Sequence, residues 1–124
     1  MKIVNFSNVE ELVFYDKNLQ NILPDHMFGF FEQWRLSKRL PFLRNVGKQA
    51  LLDFINSLNE EDINILELYF GEKIIVQKLN YNIVENLKIP LNNAQICEAL
   101  CEIQSFNYFS TWRDEQFLYI SFWR

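Results

Sequence analysis

The chain has 124 residues, 49% of them hydrophobic and 16% aromatic, with 12 Lys and Arg against 16 Asp and Glu for a formal charge of −4. That length fits one domain spanning 1–124, with material for a core that needs no disulfide or metal to hold it. No run approaches the roughly 18 apolar residues of a membrane helix, the Met1–Asn5 start lacks a signal-peptide core, and an acidic balance repels nucleic acid at long range.

Asn, Ile and Phe are abundant, while Thr111 is the single threonine. That bias matches an AT-rich genome such as that of a virus, a phage or an AT-rich microbe. The expected location is cytoplasmic, a host cytoplasm included. No linker, repeat or low-complexity segment is visible.

Residues 2–6 read as a short strand. Ser7 and Glu10 form a capping-box pattern for a first helix. Val9, Leu12, Val13, Leu19, Ile22 and Leu23 give it an apolar stripe, which Pro24 stops. Asp25 is placed to cap a second helix over about 26–39, with Met27, Phe30, Phe31 and Trp34 inward. Pro41 opens the clearest helix, where Phe42, Leu43, Val46, Ala50, Leu51, Phe54, Ile55 and Leu58 recur at spacings of three and four. Asn59 caps a fourth helix with Glu60, Glu61 and Asp62 in its first turn, and Gly71 ends it.

The period then changes. Residues 73–79 and 83–89 read as a hairpin around Asn80-Tyr81-Asn82. Asn92 or Asn93 starts a helix bearing Ile96, Cys97, Leu100 and Ile103, with both cysteines on its buried stripe. The chain closes with a hairpin of 106–112 and 117–123. The expected fold is α+β: a helical N-terminal half of about four helices, followed by a ββαββ antiparallel sheet unit.

In the last hairpin a turn over 113–116, or a two-residue turn at Asp114-Glu115, sets Trp112 opposite Phe117 and Ser110 opposite Tyr119. Phe106, Tyr108, Ser110, Trp112, Phe117, Tyr119, Ser121 and Trp123 then share one face. Leu118, Ile120 and Phe122 share the other. Both faces are rich in apolar groups. The Leu/Ile/Phe side reads as core. The Tyr/Trp side is either a second core layer under the helices or an outward contact surface, because Tyr and Trp are enriched where one end is dry and the other wet.

Arg35, Lys38, Arg39, Arg44 and Lys48 lie between Glu32 and Asp53 with no acid among them, so the stretch is locally basic. The other seven Lys and Arg face all sixteen Asp and Glu. This segment is a solvated edge that pairs with acidic parts of the same chain, a contact for an acidic protein, or a phosphate contact. Arg44 in the first turn of the Pro41 helix opposes the helix dipole, a conflict that a bound anion would relieve.

Catalytic parts are scarce. His26 is the single histidine, which excludes HExxH and any two-histidine metal site within one chain. Gly29, Gly47 and Gly71 are isolated, so there is no phosphate-binding glycine loop. A nucleophilic pairing of Cys97 or Cys101 with His26, with Asp25 nearby in sequence, is set aside because both cysteines read as buried packing. Glu98 and Glu102 read as a solvated face. No catalytic, cofactor or metal residues are assigned, and no cofactor is expected.

The reading is a non-enzymatic module that binds another protein, as an adaptor, a small inhibitor or a regulatory subunit, or as a homodimer. Its contacts would be Tyr108, Trp112, Tyr119 and Trp123, with Arg35, Arg39, Arg44 and Lys48 as a second site. One alternative is a nucleic-acid accessory factor using 35–48. Another is a small enzyme or ligand binder with a pocket between helices and sheet.

Overall fold

A computed structural model describes residues 1–78, 85–90, 94, 97–98 and 109–122. Among these, the elements run β1 (Lys2–Val4), α1 (Phe6–Val9), a π-helical turn (Glu10–Phe14), α2 (Lys17–Ile22), α3 (Phe28–Arg39), α4 (Arg44–Ser57), α5 (Glu60–Phe70), β2 (Ile74–Val76), β3 (Glu85–Pro90), β4 (Phe109–Arg113) and β5 (Phe117–Phe122). Single 3-10 turns at Asp25–Met27 and Pro41–Leu43 lead into α3 and α4. Helices fill the first half and an antiparallel sheet follows, which is the α+β order expected.

The first helix departs in detail. Asn5, not Ser7, caps it: Asn5 Oδ1 accepts the Ser7 N–H at 3.0 Å, and Asn8 Oδ1 accepts the Asn5 N–H at 2.9 Å. The stripe from Val9 to Leu23 is split into α1, the π-helical turn and α2. Asp16 restarts the helix by accepting the Leu19 N–H at 3.0 Å. Widening the ladder at Glu10–Phe14 leaves carbonyls without their usual partners. Buried Gln20 repairs this, its Nε2 donating to Phe14 C=O at 2.6 Å and Val13 C=O at 3.2 Å. Its Oε1 accepts in turn from Arg35, whose guanidinium also meets Glu32.

The Asn59 cap forms as expected. Asn59 Oδ1 accepts the Asp62 N–H at 2.9 Å, and Asp62 Oδ2 accepts the Asn59 N–H at 3.2 Å. Gly71 stops α5 with φ 73°, the left-handed conformation that costs a side chain most.

Two apolar cores share the α3–α4 pair. The larger joins Phe14, Leu19, Met27, Phe31, Trp34, Ala50, Leu51, Phe54, Ile55 and Leu66, with Phe14 edge-on to Phe31, Trp34 and Phe54 at 5.1–5.4 Å. The smaller joins Leu36, Leu40, Leu43 and Val46 to Ile89, Leu118 and Ile120. One end of the helix pair thus serves the helical core and the other carries the sheet.

The expected hairpin of 73–79 with 83–89 does not form. β2 pairs instead in parallel with β1, Lys2 opposite Ile74 and Val4 opposite Val76. The turn at 80–82 lies outside the described residues. The reason is backbone satisfaction: β1 leaves N–H and C=O groups that need partners, and Lys2 N–H meets Lys73 C=O at 2.8 Å while Gln77 N–H meets Val4 C=O at 2.9 Å. Val4 and Ile74 enter the helical core from this two-stranded sheet. β3 pairs with β5, in a separate sheet ordered β3-β5-β4.

Gly47 of α4 sits hard against Ser37 of α3. A Cβ there would lie 2.1 Å from Ser37 Oγ and 2.9 Å from Ser37 Cβ. Gly47→Ala is therefore expected to cost about 1–3 kcal/mol despite the better helix propensity of alanine, read as a lower denaturant midpoint, with a smaller loss in a Ser37→Gly background. Gln20→Leu removes the side-chain donor to Phe14 C=O, while Val13 C=O keeps the Asp16 N–H at 3.3 Å, and is expected to cost about 1–3 kcal/mol in the same assay. An unchanged midpoint would show that water serves these groups equally well.

Candidate contact surface

β5 is the central strand of the three-stranded sheet, and its alternation sorts the two faces. Leu118 and Ile120 are buried against α3, the Pro41–Leu43 turn and the start of α4, with Ile89 of β3 beside them. The opposite face carries Asn86, Lys88 and Pro90 from β3, Phe117, Tyr119 and Ser121 from β5, and Ser110 and Trp112 from β4. The helices therefore cover the aliphatic face and leave the aromatic one outward. Trp112 is 60% exposed.

The register differs from expectation. Trp112 lies opposite Tyr119, not Phe117, and Ser110 lies opposite Ser121, not Tyr119. The cause is Asp114. Its Oδ1 accepts the N–H groups of Gln116 and Phe117, both at 2.8 Å, and Asp114 N–H meets Phe117 C=O at 3.1 Å. This side-chain turn centres the reversal on Glu115-Gln116. The slide is by two positions, so every side chain keeps its face.

The central row of the outward face runs Lys88, Tyr119, Trp112 across the three strands. The indole and phenol rings stack in parallel, centroids 4.0 Å apart at 9°. The Lys88 ammonium sits 4.1 Å from the Phe117 ring centroid and 6.0 Å from that of Tyr119. On one side of this row Ser121 Oγ donates to Asn86 Oδ1 at 2.7 Å. On the other, the Tyr119 hydroxyl donates to Asp114 Oδ2 at 3.1 Å. The N–H groups of Gln116 and Phe117 hold the Asp114 carboxyl below its ordinary value. Partial burial and the Asp114 hydrogen bond push the Tyr119 phenol up.

Trp112 and Tyr119 thus stand together, while Tyr108 and Trp123 lie outside the described residues. Lys88, Asp114 and Phe117 complete the surface. Lys88 had no local signal, because β3 reaches Tyr119 only through tertiary pairing. Asp114 did have one, since an Asp two residues before a free N–H is a turn former.

The basic segment is largely engaged within the chain. Arg35 meets Glu32 and Gln20, Lys38 meets Glu10 at 2.7 Å and lies 5.5 Å from the Trp34 ring centroid, and Arg39 meets Glu98. Arg44 and Lys48 are exposed on α4. Each of the first three cations already has a carboxylate of this chain.

His26 Nε2 lies 3.6 Å from Asp62 Oδ2, so the imidazole faces a buried carboxylate. Cys97 is exposed, against the expectation that it sits on a buried stripe. Ala94, one turn earlier, is exposed as well, and Ile96, Leu100 and Ile103 lie outside the described residues. Cys101 lies outside the described residues. Among the described residues no three His, Cys, Asp or Glu side chains come together as metal ligands, and no helix is long and apolar enough to cross a membrane.

Comparison with protein-family models, with curated proteins and with solved structures finds no match to this chain.

Because the folded-state value of Asp114 lies below its ordinary 3.8, its hairpin contribution is present above that pH and is lost as pH falls through the folded-state value. Hydrogen exchange of the Gln116 and Phe117 amides should accelerate, relative to other strands, below about pH 4. Asp114→Asn should flatten that dependence. Identical profiles for the two proteins would remove Asp114 from the turn.

Proposed function

We propose that this chain is a protein-binding module, acting as an adaptor, inhibitor or regulatory subunit through the outward face of its three-stranded sheet. The observation that carries this is the stacked Trp112–Tyr119 pair on the side of the sheet away from the helices. An exposed indole in a β-strand is a cost in solution unless something covers it, and Trp and Tyr dominate the energetics of protein contacts. Stacking on Tyr119 holds the indole in place before any partner arrives, which lowers the ordering cost of association. Lys88 over Phe117 and the Asn86–Ser121 pair supply a polar border.

The basic segment contributes less to this reading than its charge suggests. Arg35, Lys38 and Arg39 neutralise acids of the same chain, which also weakens the case for a phosphate-binding strip along 35–48.

The test is affinity capture from the native source by the wild type and by a Trp112→Ala/Tyr119→Ala double variant. The double variant should keep the thermal midpoint within a few degrees, since both rings project outward. It should lose partner recovery by about tenfold or more, as expected when an aromatic hot spot is truncated. Equal recovery by both proteins would refute the reading, and so would a double variant that no longer folds, because the rings would then be core.

A further inference from the structure

Among the described residues the three-stranded sheet ends in two edges, β3 and β4, and they are treated differently. The Asp114 N–H to Phe117 C=O bond fixes which strand residues turn their backbone groups toward which neighbour. On β4, residues 110 and 112 face β5, so 109, 111 and 113 present N–H and C=O outward. On β3, residues 86, 88 and 90 face outward by the same alternation. Pro90 has no N–H to offer there and Lys88 adds a charge, two devices that blunt a strand edge. β4, with sequence Phe-Ser-Thr-Trp-Arg, has no Pro, and its one charge, Arg113, stands at the strand's last position and leaves the middle of the edge open. Ser110, Thr111, Trp112 and Arg113 are exposed on both faces of the strand, so the edge reaches past the helical layer.

We infer that β4 pairs antiparallel with β4 of a second copy about a twofold axis at Thr111, which rests on reading this sheet as a contact surface. The strand is self-complementary in that register. Thr111 meets Thr111, and the outward groups of residues 109 and 113 meet each other. Trp112 falls opposite Ser110, the smallest side chain on the strand, so the two indoles have room to lie alongside one another at the diagonal position. Arg113 carries the single charge of β4, and the antiparallel arrangement sets the two guanidiniums at opposite ends of the contact. An isologous pair of this kind closes on itself and does not propagate into a fibre. The area sets the strength. A five-residue strand spans roughly 17 Å, and two such edges with their indoles fall short of the roughly 1,200 Å² of a permanent interface. The dimer is therefore concentration-dependent.

Sedimentation velocity of the full chain from about 10 µM to about 1 mM reads this directly, with a midpoint expected on the order of 0.1 mM. Thr111→Lys and Thr111→Glu each set like charges directly opposite and should weaken the dimer by about tenfold or more at low salt. An equimolar mixture of the two should restore it. Thr111→Pro removes an outward N–H at a position where an edge strand tolerates proline, and should stay monomeric with the fold's circular dichroism retained. A wild type that is monomeric throughout overturns the inference, as does a dimer indifferent to residue 111 or a mixture that fails to recover. If a monomeric wild type still captures its partner through Trp112, self-pairing is refuted while the contact face stands. If a different chain instead protects the outward amides of Thr111 and Arg113 from exchange, the edge belongs to that chain and the second-copy assignment falls.

Discussion

The fit of Gly47 against Ser37 underlies everything above it. A hydrogen in place of a methyl lets α3 and α4 approach until Ser37 Oγ occupies the space a Cβ would need. From that contact the two helices extend in both directions. Phe31 and Trp34 with Ala50, Leu51, Phe54 and Ile55 build the helical core, and Leu36 and Leu40 with Val46 build the seat of the sheet. Separating the helices would open both cores at once, because interiors at near-crystalline density do not absorb an added methyl locally. The outward aromatic face exists because this pair claims the aliphatic face of β5 and leaves the other free.

Polar groups are handled with similar economy around the π-helical turn. The distortion at Glu10–Phe14 lets Phe14 reach Phe31, Trp34 and Phe54 while the chain bends into α2. One buried amide reaches both carbonyls at the turn's end, Phe14 C=O and Val13 C=O, the latter also taking the Asp16 N–H. Arg35 then completes that amide from α3. A residue type that suggests a binding cation in the sequence is here a strut between elements. The same holds for Lys38 with Glu10 and for Arg39 with Glu98.

How much was legible follows from range in sequence. The α4 stripe, the Asn59 cap, the Gly71 stop and the sorting of Leu118 and Ile120 from Trp112 and Tyr119 are set by near neighbours or by a period of two or 3.6, and they were readable. The partner of β2 was not, since Ile74 pairs with a strand at the other end of the helical half. Neither was the exposure of Cys97, where too few positions define a stripe. The hairpin register slipped by two because its deciding bond is the Asp114 side chain, a choice that strand periodicity does not see. Of the contact surface, the Trp112–Tyr119 face was visible as a pattern, while Lys88 had to be delivered by β3 from across the sheet.

The parallel pairing of β1 with β2 has a consequence for how the chain is made. Lys2, Ile3 and Val4 are translated well before Ile74, Ile75 and Val76, the residues they stand beside in the sheet. During synthesis the N-terminal strand has nothing to pair with until all five helices have been translated, and closing so long a loop is slow relative to helix formation. Translation order and assembly order therefore run in opposite senses for this pair: β1 precedes the helices in the chain but closes after them, and its closure seals Val4 and Ile74 into the helical core as a latch.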